Sequence, residues 1–447
     1  MTNSTIDLVR LAAMDAVRAA RLLKGVRDAA LSGQEPPVEP RPVIEASWDR
    51  MLRGGVDPDH DFRAGLLALE DLEERRRTSP LREIMPVLRE GLVSFADAAQ
   101  HIMVVADADG RVLWREGHTS VLRKADGHGF ELGADWREST VGTNGVGTPL
   151  VVRRPVQVFS AEHFVRTHHS WTCAGSPLTD PRDGRLIGVV DVSGPVDTMH
   201  PATLALVHSV TRLAEAELRN RHLRSLERMR SVAMPLLARM AGRALVVDEN
   251  GWTAAVTGMP HVDRIPLPKS LTSKSRTAGR TWLASVGECT VEELPGGGWL
   301  LRLDPAASAP GPPDGATVTL DLTHTHHSTL TVAGGAGTWT HDLSPRHAEL
   351  LYVLASHHPS GRTAADLAAD LFGDPARAVT VRAELSRVRR YLSGLIDHRP
   401  YRFRESTSLR LLLPDSPSDL LPHSLAPAVL RGRGAGARGR GGAGALG

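Results

Sequence analysis

The stretch ESTVGTNGVGTPLVVRRPVQVF, from Glu138 to Phe159, combines a glycine-rich turn with an apolar run. A phosphate-binding loop needs glycines followed by a helix whose N-terminus faces the phosphate. The glycines here precede TPLVVRRPVQVF, which has two prolines and predicts a strand over 149–159, and no lysine stands at the P-loop position. The stretch therefore indicates a turn with positive backbone φ angles, which glycine adopts readily, and not a nucleotide site.

The flanking sequence predicts a mixed α+β unit over residues 80–220. Apolar residues at helical spacing predict helices over 5–31, 43–55, 81–100 and 201–230. Alternating runs predict a strand pair around a turn at Asp107–Gly110, and a further strand over 185–193.

A series of motifs surrounds the glycines. Its members are Trp136, Glu138, Gly142–Thr148, Pro155, Val156, Glu162–Phe164, Trp171, Cys173, Asp180, Pro181, Gly184, Gly188, Asp191, Ser193, Gly194, His200 and Pro201. In this order they resemble the GAF domain of the acetoin-operon activator family, and the upstream RPVIEASWDRMLRGGVDPD resembles the leader of that family. The resemblance covers about residues 40–220. It implies a small-molecule sensor built from a sheet flanked by helices, with a ligand cavity.

Six residues are candidates for that cavity or its lid. They are Thr143, Asn144, Glu162, His163, Trp171 and Cys173. The alternative is that Asn144 and the glycines only shape a loop. Trp136, Trp171 and Phe164 also favour ordinary core positions.

The cluster His163, His168, His169 and Cys173 raises the questions of metal binding and catalysis. Zinc sites usually add a second ligand pair, and none is recognisable here, so we expect no metal and no cofactor. A catalytic thiol would need a base that the sequence does not place beside Cys173. We therefore expect a protein that is not an enzyme.

The segment from Leu343 to Pro414 predicts three helices. Ser344 precedes Pro345 at a helix start, and Thr363 precedes the second helix, AADLAADLF. The third helix, from Ala378 to about Leu392, buries an apolar face of Val381, Leu385, Val388 and Leu392. Residues 375–404 hold eight arginines against two acidic residues, a local charge of +6. A basic helix of this kind attracts DNA phosphates.

After the third helix, YRFRESTSLRLLLP predicts two strands around a polar turn at Glu405–Ser408, which would form a wing. Together with strands around 316–340, this order resembles the winged-helix output domains of response regulators over 316–414. The resemblance implies a third helix in the DNA major groove. The candidate DNA contacts are Arg377, Thr380, Arg382, Ser386, Arg387, Arg389, Arg390, Arg402 and Arg404. The alternative is a structural helical domain with a solvated arginine face.

We expect six segments in an α+β multidomain protein. They are a helical leader (1–79), a GAF sensor domain (80–220), a helical linker with a small β-rich, PAS-like domain (221–304), a linker (305–315), a winged-helix domain (316–414) and a disordered Arg/Gly tail (415–447). Many GAF regulators of this kind carry a central ATPase. No Walker loop is found here, so ATP-dependent remodelling is not implied.

The composition fits a cytoplasmic location. The 447 residues carry a formal net charge of +2 and two cysteines, with no apolar run of membrane-spanning length. The predicted function is a one-component transcription regulator whose partners are double-stranded DNA, an unidentified small-molecule effector and RNA polymerase. A stripe of Leu204, Val207, Ala214 and Leu218 either pairs a homodimer or packs on the GAF sheet. The alternative function is a GAF signalling protein that acts through a protein partner without sequence-specific DNA binding.

Overall fold

A computed structural model of the chain was analysed. It describes residues 11, 13–59, 65–198, 200–265, 267, 279–283, 286–295, 297–303, 316–325, 327–334, 337–392 and 394–438. The predicted linker at 305–315 and the start of the predicted 5–31 helix lie outside the described residues. The chain forms a mixed α+β protein with two compact units, residues 1–181 with 186–218, and residues 182–185 with 219–447.

Unit 1 is built on a five-stranded antiparallel sheet. Its strands are β1 (Ile102–Asp107), β2 (Val112–Gly117), β3 (Val156–Phe159), β4 (Trp171–Thr179) and β5 (Leu186–Pro195). They lie in the order β2-β1-β5-β4-β3. The predicted strand pair and turn near Asp107 are confirmed, whereas β4 was not predicted.

Helices cover this sheet. Among the described residues they are α1 (Ala16–Leu31), α2 (Pro42–Arg53), α3 (Leu69–Thr78), α4 (Leu81–Ala98), α5 (Thr119–Asp126), α6 (Glu138–Val141) and α7 (Gly147–Val152), with short 3-10 turns at Ser160–Glu162, Arg166–Ser170 and Val196–Thr198. The Asp15 carboxylate accepts hydrogen bonds from the backbone of Val17 and Arg18 and so begins α1.

The prediction of a strand over 149–159 is wrong in its first half. Residues Gly147–Val152 form the short helix α7, and the strand β3 begins at Val156. Every residue of α7 is buried. A fully buried apolar run has no polar face, so its periodicity does not separate a helix from a strand.

A long helix, α8 (Pro201–Leu237), begins in unit 1 and continues into unit 2. Val207, Ala214 and Leu218 are almost fully buried in the same apolar core as the α4 residue Leu88. The stripe proposed for a dimer therefore packs within the chain. Among the helices that the structure describes, none is both long enough and apolar enough to span a membrane.

Unit 2 contains a second five-stranded sheet. Its strands are β6 (Ala244–Val247), β7 (Thr253–Thr257), β8 (Gly279–Leu283), β9 (Gly287–Glu293) and β10 (Trp299–Leu303). They lie in the antiparallel order β7-β6-β10-β9-β8, which is the connectivity of the unit 1 sheet. The two sheets share the same strand order, although the sequence shows no convincing internal repeat.

The C-terminal part of unit 2 combines a four-stranded sheet with helices. The strands are β11 (Thr317–His324), β12 (His327–Gly334), β13 (Gly337–Asp342) and β16 (Ser408–Leu412), and β14 (Ile396–Asp397) pairs with β15 (Arg402–Phe403). The helices are α9 (Pro345–Ser356), α10 (Ala364–Phe372), α11 (Ala378–Tyr391) and α12 (Pro427–Arg438), with 3-10 turns at Pro375–Arg377 and Pro417–Asp419. The predicted caps are confirmed, since the hydroxyls of Ser344 and Thr363 accept backbone hydrogen bonds at the starts of α9 and α10.

The two strands and the polar turn predicted for the wing are present, but the two strands do not pair with each other. Strand β15 pairs with β14, whereas β16 pairs in parallel with β11 of the four-stranded sheet. The turn at 405–406 therefore joins two sheets. Leu409 and Leu411 pack against the apolar core of this part of unit 2, which explains why β16 adds to that sheet.

The predicted disordered tail at 415–447 is wrong for residues 415–438. Leu420, Leu421, Ala426 and Val429 are buried in the same core as Leu350 and Leu354 of α9. The prediction of disorder rested on the arginine and glycine content of the tail and overlooked these apolar residues. Their burial in the core stabilises the folded conformation of the segment. Residues 439–447 lie outside the described residues.

Candidate functional site

The glycine-rich loop is packed tightly against the unit 1 sheet. A Cβ atom at Gly145 would lie 2.5 Å from the Cβ atom of Cys173, and one at Gly147 would lie 2.7 Å from the carbonyl oxygen of Trp136. Both distances are too short for a larger residue. These glycines serve close packing, and the space that a phosphate would need is filled by protein.

Asn144 organises this loop from inside. It is fully buried, and its Nδ2 atom donates to the carbonyl oxygens of Gly142, at 2.7 Å, and Trp136, at 3.3 Å. Its Oδ1 atom accepts from the amides of Val146 and Gly147, both at 2.7 Å. The side chain is thus engaged with the backbone on both sides.

Glu138, which begins α6, is the centre of a buried polar network. Its carboxylate receives the Arg50 guanidinium through two hydrogen bonds, of 2.8 and 2.9 Å, and the Thr148 hydroxyl at 2.9 Å. The Ser47 hydroxyl contacts both Glu138 and the Thr143 hydroxyl. A bidentate ion pair, the stronger class of such contacts, therefore joins helix α2 to α6, which directly precedes the glycine loop.

The segment 159–164 is held in the same way. Arg41 donates to the two carboxylate oxygens of Glu162, at 2.7 and 2.5 Å, and the Trp48 indole donates to the Glu162 carbonyl at 3.0 Å. Arg27 of α1 is buried and donates to the Phe164 carbonyl oxygen at 2.6 Å. The N-terminal helices thus cover the outer side of this segment.

The inner side of the segment faces a small cavity. Its volume is about 10 Å³, which is room for about one water molecule. Its lining is mostly aromatic and imidazole. The lining residues are His128, Phe130, Trp136, His163, His168, Trp171 and Cys173. Of the six residues predicted for the ligand site, His163, Trp171 and Cys173 therefore lie together, whereas Thr143, Asn144 and Glu162 belong to the surrounding networks.

His163 and Cys173 form a hydrogen-bonded pair. The His163 Nδ1 atom lies 2.9 Å from the Ser160 carbonyl oxygen and donates to it, which leaves Nε2 to accept from the Cys173 thiol at 3.3 Å. Burial lowers the pKa of His163 to about 4. Burial and the nearby Asp191 charge raise the pKa of the Cys173 thiol well above its usual value. Both groups are neutral at pH 7, so the pair lacks the thiolate that a nucleophile needs.

His168 lies in the same lining and is almost fully buried. The ring is 2% exposed, and its polar neighbour is the His128 backbone. Burial, followed by the neighbouring His163 and His128, lowers its pKa to about 3. It lies against Trp136, with ring centroids 5.1 Å apart.

Asp191 is a buried acid on β5, behind Cys173. The Ser193 hydroxyl donates to its Oδ2 atom, and Oδ1 has no partner among the described residues. Burial raises its pKa to about 7. Nowhere in the described ranges do three His, Cys, Asp or Glu side chains come together in a group able to hold a metal ion.

The second candidate site is helix α11. Val381, Leu385 and Val388 are buried, as predicted, and Leu392 just beyond the helix is buried with them. The opposite side is exposed at Arg377, Thr380, Arg382, Ser386 and Arg387, and Arg389 is half-buried. The backbone of Arg390 is helical, and its side chain lies outside the described part of the chain.

Several of these arginines have partners within the protein. The Arg387 guanidinium donates to Glu384 at 2.5 Å, and Arg389 lies 3.0 Å from the Nδ1 atom of His398. The guanidinium carbon of Arg377 is 4.1 Å from the centre of the Phe372 ring. These contacts orient the side chains on the exposed helix face.

The two arginines predicted for the wing lie near Asp397. Arg402 pairs with Asp397 and Glu405, at 3.6 and 3.0 Å, and Arg404 pairs with Asp397 at 3.3 Å. Their charge is therefore partly compensated within the protein, whereas that of Arg382 has no carboxylate partner among the residues described.

Sequence reasoning missed parts of both sites. His128 and Phe130 reach the cavity from the segment after α5, and no spacing relates them to His163 or Cys173. Arg50, on the predicted 43–55 helix, and Arg41, just before that helix, were not among the predicted site residues.

The family model described as the MimR N-terminal domain matches residues 34–215. The chain is 30% identical over 363 residues to the "Uncharacterized 47.3 kDa protein in thcA 5'region" of Rhodococcus erythropolis, which covers 81% of this chain and 63% of that protein. It is 32% identical over 180 residues to the acetoin dehydrogenase operon transcriptional activator AcoR of Bacillus subtilis, which covers 40% of this chain and 29% of AcoR. It is 32% identical over 189 residues to the propane 2-monooxygenase operon transcriptional activator MimR of Mycolicibacterium goodii, covering 42% of this chain and 31% of MimR.

The chain therefore spans less than a third of the length of these two activators. A chain in the crystal structure of the E. coli DhaR(N)–DhaL complex is 18% identical, with a TM-score of 0.41, covering 60% of this chain and 100% of that chain. The relatives whose names state a role are activators or regulators and not enzymes, which agrees with the expectation for this chain.

Proposed function

We propose that the protein is a one-component transcription regulator, in which unit 1 contains a GAF-type sensor and helix α11 belongs to a winged-helix reader of DNA. The small sheet of β6–β10 would be a PAS-like domain between them. The observation that carries the proposal is α11 itself, a helix with one buried apolar face and one exposed face of arginine, threonine and serine.

This face suits DNA for electrostatic and geometric reasons. Arginine neutralises phosphates and can bind guanine through two hydrogen bonds, which a lysine does poorly. Helix α11 follows two capped helices, as the third helix of a winged helix does. Arg382 and Arg387 lie near the middle of its exposed face and are the side chains that we expect to contact DNA most closely.

The sensor assignment is supported by the family match and by the names of the relatives. The MimR N-terminal domain match falls almost wholly on unit 1, and several relatives are named as transcriptional activators. A ligand bound to unit 1 would change DNA affinity only if it binds the DNA-competent and DNA-free conformations with different affinities. Helix α8 connects the two units covalently and is the simplest route for such coupling.

The partners in this proposal are double-stranded DNA, a small-molecule effector and RNA polymerase, in the cytoplasm. Without a central ATPase in the chain, recruitment or occlusion of polymerase is the simplest mechanism. A homodimer would match a repeated DNA half-site, although its interface must lie elsewhere than the buried α8 stripe.

The test is a selection of genomic DNA fragments with the purified full chain, repeated with and without a metabolite extract. The proposal expects enrichment of a small set of fragments, and a change in enrichment with extract. The R382A/R387A double variant should lose the enrichment, whereas R89A/R302A, two exposed arginines away from α11, should retain it. Equal recovery of all fragments by the full chain would contradict sequence-specific DNA binding.

A further inference from the structure

We infer that Val379, near the start of α11, selects a thymine in the bound DNA through contact with the 5-methyl group of that base. The inference rests on the proposed function, because it names a base that the exposed face of α11 would read. It separates two roles on this face, since the arginines attract the duplex and Val379 selects one base pair in it.

The first argument is the exposure of Val379 itself. The side chain is 73% exposed and lies outside the apolar core of this part of unit 2. Valine is also a poorer helix former than alanine, because its branched Cβ atom restricts the side chain in a helix. Neither core packing nor helix propensity therefore accounts for a valine at this position.

The second argument is the place of Val379 on the helix. Positions 379, 383 and 386 recur at the i, i+4 and i+7 spacing of one helix face and lie opposite the buried apolar face of α11. All three are exposed, and they form the centre line of the exposed face: Val379, Ala383 and Ser386. Over the first two turns this centre line carries short, uncharged side chains, so it can approach a surface closely.

The third argument is the charge on both sides of the centre line. In a helix of about 3.6 residues per turn, Arg382 lies on one side of this line and Arg387 on the other. Both are exposed, and such long cationic side chains can reach phosphates while the centre line faces the base edges. In helix-turn-helix proteins the N-terminal residues of the recognition helix contact base edges, and Val379 is the second residue of α11.

The chemistry of the major groove then selects the base. Adenine, guanine and cytosine present hydrogen-bond donors and acceptors there, whereas thymine adds a 5-methyl group to its O4 acceptor. The valine side chain has no hydrogen-bonding group and gains free energy when apolar surface is removed from water. Against any other base it would cover polar atoms without pairing them. Thymine is therefore the base that Val379 favours.

Removal of single methyl groups from the DNA tests the inference. A fragment selected by the full chain is shortened to its binding site, and each thymine is replaced in turn by deoxyuridine, which lacks only the methyl group. Titration at a fixed salt concentration should show at least one position where the replacement weakens binding about fourfold, as expected for burial of one methyl group. Equal affinity for every deoxyuridine duplex would overturn the inference.

Variants then assign the methyl contact to Val379. V379A should bind the thymine and deoxyuridine duplexes equally, because the group that meets the methyl is absent, and V379I should keep the preference for thymine. Alanine is the better helix former, so V379A is expected to fold. The matched control V17A alters a valine of α1 that is 61% exposed and should behave like the parent protein. Full sensitivity of V379A to the same replacement would overturn the assignment to Val379.

The same measurements separate this inference from the proposed function. If the full chain selects fragments and binds all deoxyuridine duplexes equally, the thymine contact is wrong and the regulator proposal stands. If the full chain recovers all genomic fragments equally, sequence-specific binding fails and the thymine contact fails with it.

Discussion

The Nε2 atom of His163 lies 3.3 Å from the Sγ atom of Cys173, and the two side chains form a neutral thiol–imidazole pair. The same residue types could form an ion pair in a cysteine enzyme. Here burial disfavours both charged forms, since it lowers the histidine pKa and raises that of the thiol. The pair therefore contributes to the wall of a cavity and does not form a reactive centre.

Thiol chemistry gives the first prediction. In a C289A variant, where Cys173 is the remaining cysteine, iodoacetamide at pH 7.5 should leave the folded protein unmodified, because a buried thiol of raised pKa offers almost no thiolate. Mass spectrometry measures the modification. The urea-unfolded sample should be alkylated fully, and a cysteine introduced at the exposed position Ser120 should react in the folded protein. Rapid alkylation of folded Cys173 would restore the enzyme alternative.

The buried histidines predict a dependence of stability on pH. The pKa of folded His168 is about 3, below the unfolded value near 6.5, so protons bind preferentially to the unfolded chain. Its contribution to stability is fully present above pH 6.5 and is lost as the pH falls toward 3. Asp191, whose pKa is raised to about 7, acts with the opposite sign as the pH rises from about 4 to 7.

Urea unfolding of the parent chain and of H168F between pH 6 and pH 4.5 isolates the histidine. The variant should lose less stability per pH unit than the parent, by about 1.4 kcal/mol per unit. Parallel curves for the two proteins would show that His168 is not held neutral by folding.

The pair Arg50–Glu138 predicts a strong effect on stability. The side chains are 11% and 2% exposed, so R50M leaves a buried carboxylate without its partner and should cost about 3–5 kcal/mol in the free energy of unfolding. R50M/E138Q removes that charge and should be more stable than R50M. The exposed pair Arg166–Asp59, 55% and 59% exposed, provides the control, since R166M should cost at most about 1 kcal/mol. Similar losses in R50M and R166M would contradict the role of α2.

The C-terminal segment gives a prediction that composition alone would not. Leu420 is 3% exposed and packs in the core that contains α9, so L420A should cost about 2–5 kcal/mol. Leu425, five residues later, is 71% exposed, and L425A should change stability by less than about 0.5 kcal/mol. Chemical unfolding measures both. Equal and negligible effects of L420A and L425A would contradict the burial of Leu420 and support a disordered tail.

Local signals were sufficient for much of the fold. Val381, Leu385 and Val388 recur at helical spacing, and Ser344 and Thr363 mark helix starts, so α9 to α11 could be predicted from residues close in sequence. Strand β4 was missed because Gly175 and Pro177 interrupt its pattern. Strand β16 was placed in the wrong sheet because its partner β11 lies about 90 residues earlier, and no local rule selects a distant partner.

The candidate sites show the same limit. The exposed face of α11 follows from one helical period, so its arginines were found from the sequence. The cavity brings together residues from separate loops and strands, and Phe130 or His128 carries no local mark of its place there. Asn144 was predicted from the sequence as a ligand contact, because it is a polar residue among glycines. In the structure its side-chain amide hydrogen-bonds to the backbone of the loop instead.

The central claim is that α11 binds duplex DNA, and the salt dependence of binding tests it most directly. A selected DNA fragment is titrated with the full chain, the R382A/R387A variant and the R89A/R302A control at several salt concentrations. The account predicts that the affinity of the parent falls steeply with salt, that R382A/R387A binds more weakly with a shallower slope, and that the control matches the parent. Equal affinity and slope in all three proteins would contradict it.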